Sequence, residues 1–239
     1  MRIRARACAA VKAGNAPGDY EDAIRPEASV EVAGGLRCAV ADGATETSFA
    51  GLWARMLVDA YERGMFASRR QSRTLNELRR QWTLETGSRD LPWYAEEKLR
   101  QGAFSTLLGL TIRVLADGRV IWTAIAAGDS CLFQVRAGNV IRSFPLARSD
   151  QFTNRPVLLS TSNYGRFPFM RTYGTCHSHD RFYLMTDALA CWFLSTMEAH
   201  GRPPTPCTDG DRFRDWIEQL RVARLMRNDD VSLLALDLE

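Results

Sequence analysis

The 239-residue chain reads as an α+β domain with mainly antiparallel sheets. Three observations predict this. Between Phe104 and Phe144, short apolar runs are separated by Asp117-Gly118, Gly128-Asp129 and Gly138-Asn139, the turn chemistry of hairpins. From Phe49 to Tyr61, apolar residues recur at helical spacing: Phe49, Leu52, Trp53, Met56, Leu57, Ala60 and Tyr61. Strands and helices come in blocks rather than in strict alternation, which favours α+β.

The elements follow in order. Arg2 to Val11 is a first strand, and a turn-rich loop begins at Gly14. Ser29 to Val32 is a short strand, Gly34-Gly35 a turn, and Leu36 to Ala41 a strand that stops at Asp42. The helix from Phe49 has Thr47 or Ser48 as its cap and Gly64 as its stop. Helical patterns recur at Arg73 to Glu85 and Trp93 to Gln101, separated by "GSRDLP". A meander follows: Phe104 to Leu115, Val120 to Ala127, Leu132 to Arg136 and Val140 to Phe144. Residues 148–178 are rich in Asn, Ser, Gly and Pro and read as a flap, irregular at least from Arg148 to Gly174. Arg181 to Met185 is a strand ending at Asp187, Ala188 to Ala199 a helix, and "GRPPTP" a loop. Phe213, Trp216, Ile217 and Leu220 mark the last helix, and Val231 to Leu236 the closing strand.

Composition narrows the class. Hydrophobic residues at 46% and charged residues at 25% are those of a globular protein able to bury a core. Thirty-one basic against 28 acidic residues, a net charge of +3, is too close to balance to imply nucleic acid. The basic N-terminus lacks the continuous apolar stretch of a signal peptide, and no apolar run approaches 18 residues, so a cytoplasmic protein without membrane contact is expected. The six cysteines are scattered without a CxxC pair, as reduced thiols would be. No repeat divides the chain, and residues 1–239 are expected to form one domain.

The acids carry the chemistry. Asp42, Asp129 and Asp187 each follow a strand, and Asp229 and Asp230 precede one. If the last strand runs antiparallel to its neighbours, these carboxylates gather at one rim. Such a cluster repels itself unless a cation sits within it. Oxygen donors alone suit Mg²⁺ or Mn²⁺ better than zinc. Any one of these aspartates is accounted for by capping or turn formation; four strands sharing the feature are not. Gly43, with no Cβ, lets its carbonyl approach a ligand closely.

With these residues in view, the chain resembles the PP2C-type (PPM) metal-dependent serine/threonine phosphatases over nearly its whole length. "DYEDA" resembles the early acidic motif, "VADGA" the central Asp-Gly, "FSTLLGLTI" the Ser/Thr strand, "AAGDSCLF" the Gly-Asp-Ser, "LMTDAL" the Ser/Thr-Asp-Gly, and "NDDVSLLAL" the closing motif. The resemblance implies a four-layer α-β-β-α sandwich with two central antiparallel sheets. It implies two Mg²⁺ or Mn²⁺ ions, with a third, weaker one at Asp129. Asp42 would bridge the pair, the Gly43 carbonyl would bind one ion, and Asp187 and Asp229 would complete the other site. Glu21 and Asp22 would hold metal-bound waters. Asp42, Asp187 and Asp229 would be the catalytic set, and a water bridging the two ions would attack phosphorus in line. A phosphorylated protein substrate and a cognate Ser/Thr kinase would be the partners.

Several positions depart from the family pattern. The segment before Glu21-Asp22 lacks the family's phosphate-clamping Arg, and Lys12 is the nearby cation, without the bidentate fork. Ala44 and Thr45 follow Gly43 where many relatives carry a His. Ala188 follows Asp187, and Cys131 follows Ser130. The ligands are thus kept while substrate handling is altered. The alternatives are a binding or regulatory module of the same fold, catalytically weak or inactive, and a phosphatase for a small phosphorylated metabolite.

Three further features read as structural. "TCHSHD" (Thr175 to Asp180) matches no zinc spacing and reads as a loop. The basic run Arg63 to Trp82 reads as a solvated helix face, with an acidic partner or RNA as the sharper reading. Trp53, Trp192 and Trp216 read as core. Arg155, Arg166 and Arg171 of the flap are candidates for contact with a phosphopeptide, set against plain solubility.

Overall fold

The computed structural model describes residues 1–44, 49–67, 70–87, 99, 101–153, 155–162, 167 and 169–239. The expected caps Thr47 and Ser48, most of the helix expected at 93–101, and Arg166 lie outside the described residues.

Two antiparallel sheets form the centre. One contains β1 (Arg2–Ala10), β3 (Val30–Ala33), β8 (Cys131–Arg136), β9 (Asn139–Phe144), β12 (Arg181–Met185) and β13 (Val231–Leu238), in the order β3-β1-β13-β12-β8-β9. The other contains β2 (Ala23–Arg25), β4 (Leu36–Ala41), β6 (Leu107–Val114), β7 (Val120–Ala127) and β11 (Met170–Cys176), in the order β11-β7-β6-β4-β2. A small pair, β5 (Phe104–Ser105) with β10 (Leu159–Ser160), stands apart.

Period-two alternation explains the layering. In β12, Phe182 and Leu184 enter the core between the sheets, while Tyr183 and Met185 face helices α3 (Asp187–His200) and α4 (Gly210–Val222). In β7, Trp122 and Ala124 point between the sheets, while Ile125 and Ala127 face helices α1 (Ala50–Glu62) and α2 (Gln71–Gly87). The expected four layers are therefore present. Trp53 and Trp192 are buried, and Trp216 is half-buried against Trp192. No helix among the described residues is long and apolar enough to cross a membrane. All six cysteines are free.

The buried face of α1 is Ala50, Trp53, Ala54, Leu57, Val58 and Tyr61, rotated from the expected stripe toward the small residues. Alanines bring the helix close to the sheet, leaving Leu52 and Met56 partly outside. Gly64 ends the helix as expected, with φ of 75° and its N–H donating to the Tyr61 carbonyl at 2.8 Å. The Tyr61 ring lies flat over Gly109 of β6, where an added methyl would overlap the ring. Gly109→Ala is therefore expected to cost about 1–3 kcal/mol by overpacking, read as a melting-temperature drop of about 5 °C.

The expected irregular segment needs correction. Residues 170–176 form β11, paired with β7 from Met170↔Ala126 to Cys176↔Val120. It is an edge strand whose residues are mostly exposed or half-buried, so it carries no apolar alternation. The basic run is also more structural than expected. Phe66 and Trp82 are core, and Arg79 is buried, its Nε donating to the Ser160 carbonyl at 2.9 Å. In "TCHSHD" the loop reading holds only for residues 177–180, because Thr175 and Cys176 are the last residues of β11. Asp180 is buried and accepts from Gln134 Nε2 at 2.8 Å, Arg136 Nε at 2.7 Å, Arg136 Nη2 at 2.8 Å and the His177 backbone at 2.9 Å.

Candidate metal centre

The strand ends meet at one rim. β4 delivers Asp42 from one sheet. β12 delivers Asp187 from the other, and β13, antiparallel to β12, begins just after Asp229 and Asp230. Ala23 pairs with Ala41, so Asp22 lies beside Asp42. Asp129 sits on the turn that carries the chain from β7 to β8, from one sheet to the other. Asp42, Gly43, Asp129, Asp187 and Asp229 line a single cleft of about 560 Å³. Thr153, Pro156 and Leu158 of the flap segment border it as well.

The backbone around Asp42 is held on all sides. Its N–H donates to Thr106 Oγ1 at 2.8 Å, and its carbonyl accepts from the Thr106 N–H at 2.9 Å and from Ser105 Oγ at 2.8 Å. Thr106 Oγ1 in turn meets Ser130 Oγ at 2.7 Å, which ties the Ser/Thr strand to the Gly-Asp-Ser turn. At Gly43, a Cβ would stand 2.6 Å from the Glu21 carbonyl oxygen and 2.9 Å from the Ala50 carbonyl carbon. Only glycine fits there.

On the other side, Ser232 Oγ donates to Asp22 Oδ2 at 2.8 Å. Asp230 is a tether rather than a free ligand: it accepts from the backbone N–H groups of Lys12 and Glu21, each at 2.8 Å. The Arg221 guanidinium fixes the loop by donating to the carbonyls of Asp229 at 2.6 Å and Val11 at 2.9 Å. Lys12 thus stands at the end of β1 on the Asp230 side, and its side chain is not among those lining the cleft.

Electrostatics mark the cluster as incomplete by itself. Burial pushes Asp22 up to about 8, against the Ser232 hydrogen bond, with Asp230 and Asp229 adding to the rise. Asp42 is raised well above the carboxylate range by burial and by Asp22, Asp229 and Asp129, with Arg227 pulling the other way. Burial also raises Asp129. Asp22 Oδ1 and Asp129 Oδ1 are buried without a hydrogen-bond partner. Orphaned carboxylate oxygens, an all-oxygen donor set and a glycine cradle fit hard divalent cations.

Sequence reasoning missed the basic residue of the cleft. Arg227 pairs with Asp187 and lies 3.5 Å from Asp229 through Nε. It is the one cation among the described residues lining the cleft. Its guanidinium contacts both acids, and no three ligand-type side chains among the described residues stand together as a ready coordination set. Nothing local in "MRNDD" signals this, because the contact to Asp187 spans 40 residues and exists only once β12 and β13 pair.

The sequence model of the protein phosphatase 2C family matches residues 19–234. The chain belongs to that family. Solved phosphatases share the protein phosphatase 2C fold at low identity. The Mycobacterium tuberculosis serine/threonine phosphatase PstP/Ppp superposes with a TM-score of 0.61 at 15% identity, covering 100% of each chain. The catalytic domain of PstP in complex with two manganese ions gives 0.59 at 15% identity over 99% of each chain. RsbX in complex with magnesium gives 0.55 at 15% identity, over 100% of this chain and 96% of that one. No curated protein matches the chain significantly.

Proposed function

We propose that this protein phosphatase 2C member hydrolyses phosphoserine or phosphothreonine in proteins with Mg²⁺ or Mn²⁺, opposing a Ser/Thr kinase in the cytoplasm. The observation that supports this reading most is the placement of Asp42 from one sheet across a cleft from Asp187 and Asp229 of the other. Asp22, Asp42, the Gly43 carbonyl, Asp187 and Asp229 would hold two ions, with Glu21 at the water positions and Asp129 at a third, weaker ion. Bound there, divalent ions acidify a water and offset charge on the phosphoryl oxygens.

The chain's own residues do the rest. Arg227 enters the cleft from the loop before β13, which is hydrogen-bonded through Asn228 and Asp230 to the start of the segment where relatives place their clamp. Its planar fork suits two phosphoryl oxygens at once, and with its side chain 47% exposed it can turn from Asp187 to a substrate. Lys12 is the second candidate for the phosphate, at the end of β1. The flap residues bordering the cleft would seat the flanking peptide. No covalent phosphoenzyme is expected. The described cysteines near the core are poor nucleophiles, with burial pushing Cys8 up to about 11 and Cys176 up to about 12.

One observation favours a second reading, a non-catalytic binding module: the Arg227 guanidinium already neutralises Asp187 and Asp229. Manganese calorimetry combined with turnover of para-nitrophenyl phosphate and a phosphoserine peptide separates the two. The catalytic reading expects manganese uptake, turnover that stops in EDTA, and tighter manganese binding by Arg227→Ala. That variant should also show a KM for the peptide raised by about 10-fold or more, as loss of charge-assisted hydrogen bonds predicts. Wild-type protein that takes up no manganese and turns over neither ester, beside an Arg227→Ala variant that does bind the ion, would establish the module.

A further inference from the structure

We propose that the outer face of the β11-β7-β6-β4-β2 sheet, just past the C-terminal end of α1, holds a second anion site for a phosphoryl group carried by a peptide. A cavity of about 450 Å³ opens there, lined by Arg37, Arg113, Arg171, Tyr61, Tyr173 and Thr111 among others, and no carboxylate among the described residues lines it. The register explains why these side chains converge. Arg37 pairs with Thr111, Thr111 with Thr123, and Thr123 with Tyr173, one row across four strands. Arg113 lies two residues from Thr111, and Arg171 two residues from Tyr173, so both share that face. Tyr61 closes the floor, its hydroxyl 3.0 Å from Thr111 Oγ1.

Among the described residues, the guanidinium groups here lack counter-charges. On the other sheet, Arg2, Arg4, Arg6 and Arg181 are matched by Glu31, Asp237 and Glu239. Among the described residues, Arg37, Arg113 and Arg171 have no carboxylate partner. Arg171 Nη2 donates instead to Gln71 Oε1 at 2.6 Å. Gln71 opens the 17-residue helix α2, whose first turn carries no acid, so the positive helix end adds to the same field. Arg63, Arg70 and Arg73, from the basic run, are exposed nearby in the chain. Burial keeps the Tyr61 hydroxyl protonated against the pull of Thr111, Arg37 and Arg171, leaving it available as a donor. Guanidinium forks beside hydroxyl donors match a dianionic phosphoryl group better than a single carboxylate.

The site is separate from the catalytic cleft. Arg37 precedes Asp42 by five residues along one strand, about 17 Å at the usual strand rise. The direct line along β4 lies beneath α1, so an extended peptide has to pass around the helix, and phosphoserines about eight residues apart, about 26 Å when extended, could occupy both places. The peptide part of the proposal rests on the protein-phosphatase reading; the anion site does not.

Amide NMR spectra recorded during addition of inorganic pyrophosphate, and of a synthetic peptide with two phosphoserines eight residues apart, test it. Shifts are expected at Arg37, Thr111, Gln71 and Tyr173. Combined Arg37→Ala, Arg113→Ala and Arg171→Ala should weaken peptide binding at least 10-fold while leaving manganese-dependent para-nitrophenyl phosphate turnover unchanged; Lys at the three positions should restore part of the affinity. Shifts confined to the Asp42 cleft, or unchanged affinity in the triple variant, would overturn the site. Peptide binding no tighter than that of its unphosphorylated form, or preferential binding of RNA or phosphatidylserine vesicles, would overturn the ligand assigned to it. A protein that hydrolyses no ester yet shows these arginine-dependent shifts keeps the site and loses only the catalytic reading.

Discussion

Asp42→Asn is expected to lower manganese-dependent turnover about 1,000-fold, equivalent to about 4 kcal/mol of transition-state stabilisation. The substitution keeps the shape of the side chain and the backbone bonds to Ser105 and Thr106, and removes the charge. The same change should stabilise the metal-free protein. Asp42 is half-buried among Asp22, Asp129 and Asp229, each of which opposes its ionisation, so a neutral amide relieves repulsion. Melting temperature without metal should rise by about 2–4 °C for each kcal/mol gained, and the increment that manganese adds should shrink. A variant that loses activity by unfolding would show both temperatures falling, so steady-state turnover and thermal melts with and without manganese read the two effects separately. Activity retained by Asp42→Asn would remove the metal-centred reading.

The largest effect on stability is expected from Asp180→Ala, far from the cleft. Four donor groups converge on this carboxylate, which is wholly buried, while the Arg136 side chain is 32% exposed. Removing it strands a guanidinium, a side-chain amide and a backbone N–H. Loss of one partner from such a buried pair costs about 3–5 kcal/mol, and water reaching Arg136 places the expectation near the lower figure. Melting should fall by about 6–12 °C. The pH dependence has a definite sign. Burial raises the acid, but Arg136, the His177 backbone and Gln134 together hold it below the ordinary value. A depressed carboxylate stabilises the fold fully above its unfolded value of about 4 and less as pH falls through its folded value. The gap between wild type and Asp180→Ala should therefore be constant near neutrality and close below about pH 4.

Much of this architecture was legible in residue order because buried strands have to be apolar. Leu36 to Ala41 is such a run, and its abrupt stop at Asp42 is visible without coordinates; the same holds at Asp187. The antiparallel meander was legible from its turns. What escaped shares a physical cause. β2 is three residues long and β11 lies at a sheet edge with its outer face in solvent, so neither needs an apolar pattern. The rotation of α1 toward Ala50 and Ala54 followed from close approach to the sheet, which hydrophobicity alone does not rank. Arg227 was invisible because its meaning lies in Asp187, a neighbour in space only. Arg79 read as one charge among many in a basic helix, and its burial depends on the Ser160 carbonyl arriving from a distant loop.

The position of β13 bears on biosynthesis. This strand lies between β1 and β12, so the six-stranded sheet has no centre until residue 238 has left the ribosome. Early-made β1 must wait with one edge unsatisfied, and Asp229 reaches the rim only when the last strand zips in. The cleft therefore assembles late, after both neighbours of β13 have already been made.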